Sequence, residues 1–220
     1  MKKTVAFFAL AAALFQGGCG IIGVMGTPSP SEEKFPAEYN LAGQKDKRIL
    51  VLVEQPAWLS TEVSMRYYLT KAIRERIVMK MEIPPEQLIT YNELAEFRSA
   101  QSDFLQLSPV QIGAALKADM VLLVEIENCE LYEMADTGYY KGSLSARATL
   151  FDTAASEKLW PTSAKGKGIR VGFEVESKGK DIASVRLATA AAKCIVRYLY
   201  DCLKAEFKTS DETENIGWGN

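Results

Sequence analysis

The chain has 220 residues, 48 % of them hydrophobic, with 26 basic and 28 acidic side chains, a net charge of −2 and no histidine. A nearly neutral chain without a long basic run lacks the footprint of a nucleic-acid or polybasic membrane surface. The absence of histidine excludes Ser-His-Asp and Cys-His catalysis, HExxH motifs and histidine-containing zinc sites.

The chain opens with Lys2 and Lys3, an uncharged apolar run from Thr4 to Phe15, and Gln16-Gly17-Gly18-Cys19. This is the layout of a secretory signal peptide. It resembles the bacterial lipoprotein class, in which the cysteine is acylated, with palmitate-type chains, and becomes the first mature residue. Gln16 stands where that class usually has Leu, Val or Ile. The resemblance implies lipidation at Cys19 and anchoring in the lipid bilayer, since two or more acyl chains hold a protein stably. Gly20 follows where the class's inner-membrane retention signal has Asp, so the resemblance implies the outer membrane. Two alternatives stay open at this point: an uncleaved membrane helix, since no charge occurs from Thr4 to Ser31, and soluble secretion.

The expected organisation is a signal peptide over 1–18, a lipid anchor and flexible tether over 19–47, one domain over 48–207 and a disordered acidic tail over 208–220. Pro28, Pro30 and Pro36 break the tether. About 160 residues are enough for one real core.

Along the domain, Ile49 to Val53 is an aliphatic run that reads as a central strand buried on both faces. Ser60 is a candidate N-cap. Met65, Leu69, Ala72, Ile73 and Ile77 at helical spacing predict a helix over about 61–80. Leu88 to Tyr91 reads as a short strand, and Asn92 as the cap of a short helix. Ser108-Pro109-Val110-Gln111 predicts a capping box opening a helix through Leu116. Met120 to Val124 is a second buried strand, with Glu125, Ile126 and Glu127 alternating beyond it. Alternation in 144–150 and 169–175 predicts half-buried antiparallel strands, the return strand starting near Lys158. A long C-terminal helix from Asp181 carries Val185, Ala188, Ala192, Ile195, Leu199 and Cys202 as its apolar stripe. The fold class is therefore α/β (α+β): a mixed β-sheet with crossover helices and a long C-terminal helix, in the order β-α-β-α-α-β-β-β-α. Leu122, Val124, Leu150, Trp160, Val171, Phe173 and Ile195 are the expected shared core.

Two stretches resemble a group of periplasmic domains. Ile112 to Leu122 is similar to its helix, Ala-Asp, buried-strand step. Leu150 to Trp160 is similar to its Asp-Thr-turn-Glu-x-x-Trp hairpin, with Ala154-Ala155 in place of a frequent glycine. The group includes the curli-assembly lipoproteins, the lipoprotein activators of penicillin-binding proteins and the amino-terminal domain of the Tol propeller protein. Asp119 has its own physical reading, a short carboxylate accepting backbone N–H groups at a helix-to-strand corner.

Chemistry is sparse. Cys129, Cys194 and Cys202 lack CxxC spacing. Cys194 and Cys202 on one helix would lie about 12 Å apart, too far for a bridge, so Cys129 would pair with one of them or all three are buried thiols. Ser177-Lys178-Gly179-Lys180 matches SxxK, but its partner motifs are missing. Glu125 and Glu127 share a strand face. They read as a solvated edge, with cation binding as the alternative. Tyr132, Tyr139 and Tyr140 cluster around Gly138. They are candidates for a protein contact. No catalytic residue, metal or cofactor is assigned. The resulting expectation is a non-enzymatic, lipid-anchored envelope protein that binds another envelope protein or itself. A carboxylate-based envelope hydrolase and a ligand-binding sensor are the rivals.

Overall fold

In the computed structural model, residues 33–172 and 177–207 are described. Cys19, Phe173 and the acidic tail lie outside them. The body is an α+β sandwich on one mixed sheet, as expected.

The aliphatic run forms β2 (Ile49–Glu54), parallel to β3 (Met120–Glu133), with Ile49 opposite Met120 and Glu54 opposite Glu125. β3 turns back antiparallel into β4 (Tyr139–Asp152). The other edge of β4 takes three short strands in turn. These are β5 (Glu157–Trp160), β6 (Lys167–Gly172) and β7 (Ser177–Lys178). The single return strand expected after Asp152 is thus split.

α1 (Val63–Met81) and α4 (Lys180–Val196) cover one face of the sheet. Met65, Leu69, Ile73, Ile77 and Met81 recur every four residues and turn inward from α1. They meet Val51, Leu122, Leu150, Trp160, Val171 and Ile195 in one core. The described members of the expected core are all there. α2 (Tyr91–Ala100) and α3 (Pro109–Ala115) cover the other face, over Leu50, Leu52, Val121 and Leu123 only. Helices on both sides explain why β2 is apolar at every position from Ile49 to Val53.

Several boundaries differ from expectation. β2 is buried on both faces but lies at the end of the sheet order, where, among the described residues, its outer side meets a bridge from Leu88. The strand expected over 88–91 is reduced to that bridge, because Thr90 is already the cap of α2. Thr90, not Asn92, caps it: its hydroxyl accepts from Glu93 N, and the Glu93 carboxylate accepts from Thr90 N at 2.7 Å. The first long helix starts at Val63, after a 3-10 turn from Ala57 to Glu62, so Ser60 precedes it by more than a cap.

The last helix stops at Val196 rather than reaching Cys202. The carbonyls beyond it serve the N-terminal segment instead. Tyr198 O accepts from Glu38 N at 2.9 Å, and Leu199 O accepts from Leu41 N at 3.0 Å. Val185 is 44 % exposed, and Ala183, Leu187 and Ala191 take the inner stripe with Ala188, Ala192 and Ile195. Residues 33–47 are therefore not a tether. β1 (Lys34–Phe35) pairs with β8 (Cys202–Leu203), just before the short α5 (Lys204–Phe207), and Leu41 is fully buried.

Candidate functional site

The long β3–β4 hairpin carries the three tyrosines. Both of its strands have 14 residues. The stretch from Cys129 to Gly142 is mostly paired strand, with Cys129 opposite Leu144 and Glu133 opposite Tyr140. Its tip is a tight turn in which Ala135 and Asp136 have φ of 47° and 55° and Thr137 N donates to Met134 O at 3.1 Å. Two successive positive-φ residues are what the right-handed strand twist requires of a short hairpin connection. Gly138 adds φ of 74°, and its N–H donates to Glu133 at 3.0 Å.

The tyrosines do not form one patch. Tyr132 is 58 % and Tyr139 38 % exposed. Tyr140 packs partly against the core, and its hydroxyl donates to Glu133 at 3.2 Å. Hydrogen bonding to Glu130 raises the Tyr132 hydroxyl's pKa. Partial burial, then Glu133, raises that of Tyr140. Tyr132 and Tyr139 are the pair free to meet a partner.

β3 also outruns β2, whose last partner is Glu125. Among the described residues, its outer edge from Ile126 to Glu133 has no strand against it. A register shift between Ile126 and Asn128 makes Glu127 the extra residue of a bulge. Its carboxylate accepts from the Arg147 guanidinium. Arg147 is the residue opposite Glu125, so both carboxylates stand on its side of the strand around buried Ile126, a solvated edge in which Glu127 is already engaged. A bulge and an engaged charge are common guards of a free edge.

The hairpin tip and the N-terminal segment sit at opposite ends of α4. Gly179 N, before its first turn, donates to Gly138 O at 2.7 Å. Tyr198, after its last, holds Glu38 and Tyr39. Its 17 residues separate these ends by about 25 Å.

The other sequence candidates resolve structurally. Cys129, Cys194 and Cys202 are buried thiols outside any disulfide. Ser177 and Lys178 pair with Tyr140 and Tyr139, and Lys180 opens α4. Among the described residues, no group of three His, Cys, Asp or Glu is placed to hold a metal, and no helix is long and apolar enough to cross a membrane.

Sequence reading missed a groove of about 650 Å³ between α1 and the start of α2. Tyr67 and Tyr91 close one end, their rings edge to face at 5.2 Å. Arg74 and Lys71 lie midway, and Met79 and Leu88 line the rest. Arg74 donates to Leu88 O at 3.1 Å. Tyr67, Lys71, Arg74 and Val78 do share one helical face, but the wall opposite is unreadable from α1 alone.

No protein-family model matches the chain, and no curated protein does. Among solved structures it is similar to lipoprotein GNA1162 from Neisseria meningitidis, at 16 % identity over 65 % of this chain and 94 % of that one, with a TM-score of 0.38. A putative lipoprotein from Caulobacter crescentus CB15 is 11 % identical over 70 % of this chain and 88 % of that one, TM-score 0.37. The PelC dodecamer from Paraburkholderia phytofirmans is 12 % identical over 77 % of this chain and 96 % of that one, TM-score 0.35. At this level of similarity their names say nothing of this chain's function.

Proposed function

We propose that this chain is a lipid-anchored protein of the bacterial envelope, held in the outer membrane through acylated Cys19, that binds another envelope protein without catalysing a reaction. The supporting observation is the hairpin, which carries Tyr132 and Tyr139 into solvent at the end of α4 remote from the N-terminal segment. Two accessible tyrosines beside Glu130, Glu133 and Lys141 suit a modest protein contact with a polar rim.

Binding is tested by capture of the native partner from detergent-solubilised envelopes. Replacing Tyr132 and Tyr139 with Ser removes two half-free rings from a hairpin whose core residues stay in place. Capture should weaken by about 1–3 kcal/mol if they are hot spots. Unchanged capture discards the hairpin as the contact. Turnover of a cell-wall fragment by the purified chain discards the non-enzymatic reading.

The ligand-binding rival has one observation in its favour, the groove beside α1. It is largely apolar, with a few polar groups converging, as small-molecule sites are. The groove carries one carboxylate, Glu75, 3.9 Å from Lys71; a carboxylate-pair hydrolase needs two.

A further inference from the structure

We propose that the seam between α1 and α2 binds a small organic anion, with its carboxylate or phosphate on Arg66 and Arg98 and its flat apolar body against the rings of Tyr67 and Tyr91. This does not depend on the partner reading of the hairpin.

The register of the two helices sets the site. Arg66, Thr70 and Arg74 stand four residues apart and share one face of α1. Thr70 and Arg74 line the groove, and Arg66 extends that row by one turn. On α2, Tyr91 and Arg98 are seven residues apart, about two turns, and also share a face. Each row spans about 10–12 Å, and the two run in opposite directions. Arg74 meets the start of α2, where Tyr91 and Asn92 line the groove with it. Tyr67 meets Tyr91 edge to face at 5.2 Å. Arg66 lies within electrostatic reach of Arg98, in the last turn of α2.

Charges along this seam do not cancel. Glu93 accepts from Arg48 at 2.9 Å and, with Glu75, faces Arg74. Glu75 also stands 3.9 Å from Lys71. Glu54 accepts from Arg98 at 2.7 Å. Among the described residues, no carboxylate lies within ion-pair distance of Arg66. Its guanidinium faces that of Arg98, and Glu54 bonds to Arg98 alone of the two. Burial lowers the Arg98 pKa from its ordinary value; the Glu54 charge opposes that and the Arg66 charge adds to it. The Nε groups of Arg66 and Arg98 are buried and have no hydrogen-bond partner. An anion supplies both the missing charge and the missing acceptors, and a carboxylate or phosphate matches the guanidinium fork.

What lies beside the arginines sets the rest of the ligand. The groove of about 650 Å³ falls within the range of small-molecule sites, about 300–1,000 Å³. Its aromatic end adjoins the arginines: Arg66 precedes Tyr67 in the chain, and Tyr91 interacts with the Arg98 charge. Tyr67 is 41 % exposed, so its ring is open to an apolar partner. A flat ring packs well on an edge-to-face pair. Phe104, 4.6 Å from the Arg98 guanidinium, and Glu54 hold that group in place before a ligand arrives.

The test titrates the full chain with benzoate, phenyl phosphate, inorganic phosphate and benzyl alcohol, with chloride holding the ionic strength constant. It follows the Nε–H resonances of Arg66 and Arg98 and the ring resonances of Tyr67 and Tyr91. Benzoate or phenyl phosphate should shift both sets and saturate, and the tighter of the two names the anion. Benzyl alcohol should bind about tenfold more weakly or worse, because it leaves the arginines unpaired. Arg66→Gln should weaken the aromatic anions by a similar factor, leave benzyl alcohol unchanged and leave the core methyls unmoved; Arg66→Lys should recover part of the loss. Tyr67→Ala should weaken benzoate and spare inorganic phosphate. Shifts that do not saturate overturn the proposal, since they report screening of the two arginines. So does equal binding of benzyl alcohol, which means a plain apolar groove, or anion binding that Arg66→Gln does not change. Inorganic phosphate binding as tightly as phenyl phosphate overturns the ring contact.

Discussion

Trp160 shows how one side chain combines a local and a distant role. Its ring is 2 % exposed and sits opposite Leu150, as a large apolar residue on an inward strand position should. Its indole N–H donates to Glu38 at 2.8 Å, 122 residues away, and Lys167 donates to the other oxygen of that carboxylate at 2.5 Å. Trp160→Ala should destabilise the chain by about 3–5 kcal/mol in a denaturant melt. Trp160→Phe keeps most of the packing but removes the donor, and about 0.5–1.5 kcal/mol is expected from the lost hydrogen bond, Glu38 keeping Lys167. Gly113 is the second sensitive residue. A methyl there would sit 2.4 Å from Val121 Cγ2 and 3.1 Å from Thr153 Oγ1, so Gly113→Ala must push α3 off the sheet. A measured loss of about 1–3 kcal/mol is expected from that overpacking, and an unchanged midpoint would show that α3 yields freely. The burial of Trp160 is legible in its strand; the partner of its N–H is not, because Glu38 lies 122 residues away.

At the scale of elements, caps and corners are local and were partly readable, with Ser60 and Asn92 as the two errors. Ser108 and Gln111 make the reciprocal box. Thr90 and Glu93 make the same box one element earlier; Asn92 is a good capping residue, but the x-x-Glu spacing favours Thr90. Asp119 accepts from Arg48 N at 2.7 Å, and its own carbonyl accepts from Thr153 N at 2.9 Å. The two stretches that resemble the periplasmic group thus meet at one corner. Thr90→Ala should cost about 0.5–2 kcal/mol. Glu93 also supplies a pH signature. The Thr90 backbone N–H, then its hydroxyl, favour the carboxylate and lower its pKa from the ordinary 4.5. A depressed folded value gives stability that is fully present above the unfolded pKa and lost as pH falls through the folded one. The stability gap between the wild type and Glu93→Gln should therefore be constant near neutrality and shrink below about pH 4.5. A gap that does not change with pH would show that the carboxylate charge is not what the box uses.

The whole molecule is closed by its N-terminal segment. β1 on β8, Leu41 in the core, and Glu38 between Trp160 and Lys167 bind residues 33–47 to the end of the chain. Leu41→Ala should cost about 2–5 kcal/mol, whereas a free tether would tolerate it within error in a thermal melt. Cys19→Ser should release the protein from membranes, and an unmodified mature N-terminus elsewhere, seen by mass spectrometry, would refute the anchor. By itself the sequence determined what depends on near neighbours: the buried strands, the inner face of α1, the Ser108 capping box, the Asp119 corner and the fold class. Periodicity and capping act over three to eight residues, so their signals are contiguous. Tertiary structure alone decided where the last helix stops, that the expected tether is part of the body, that Tyr140 turns inward, and that a groove opens beside α1. Each of these depends on groups far apart in the chain, such as Glu38 with Tyr198 or Tyr67 with Tyr91. No local pattern records such a meeting, because its energy exists only once the core has brought the two sides together.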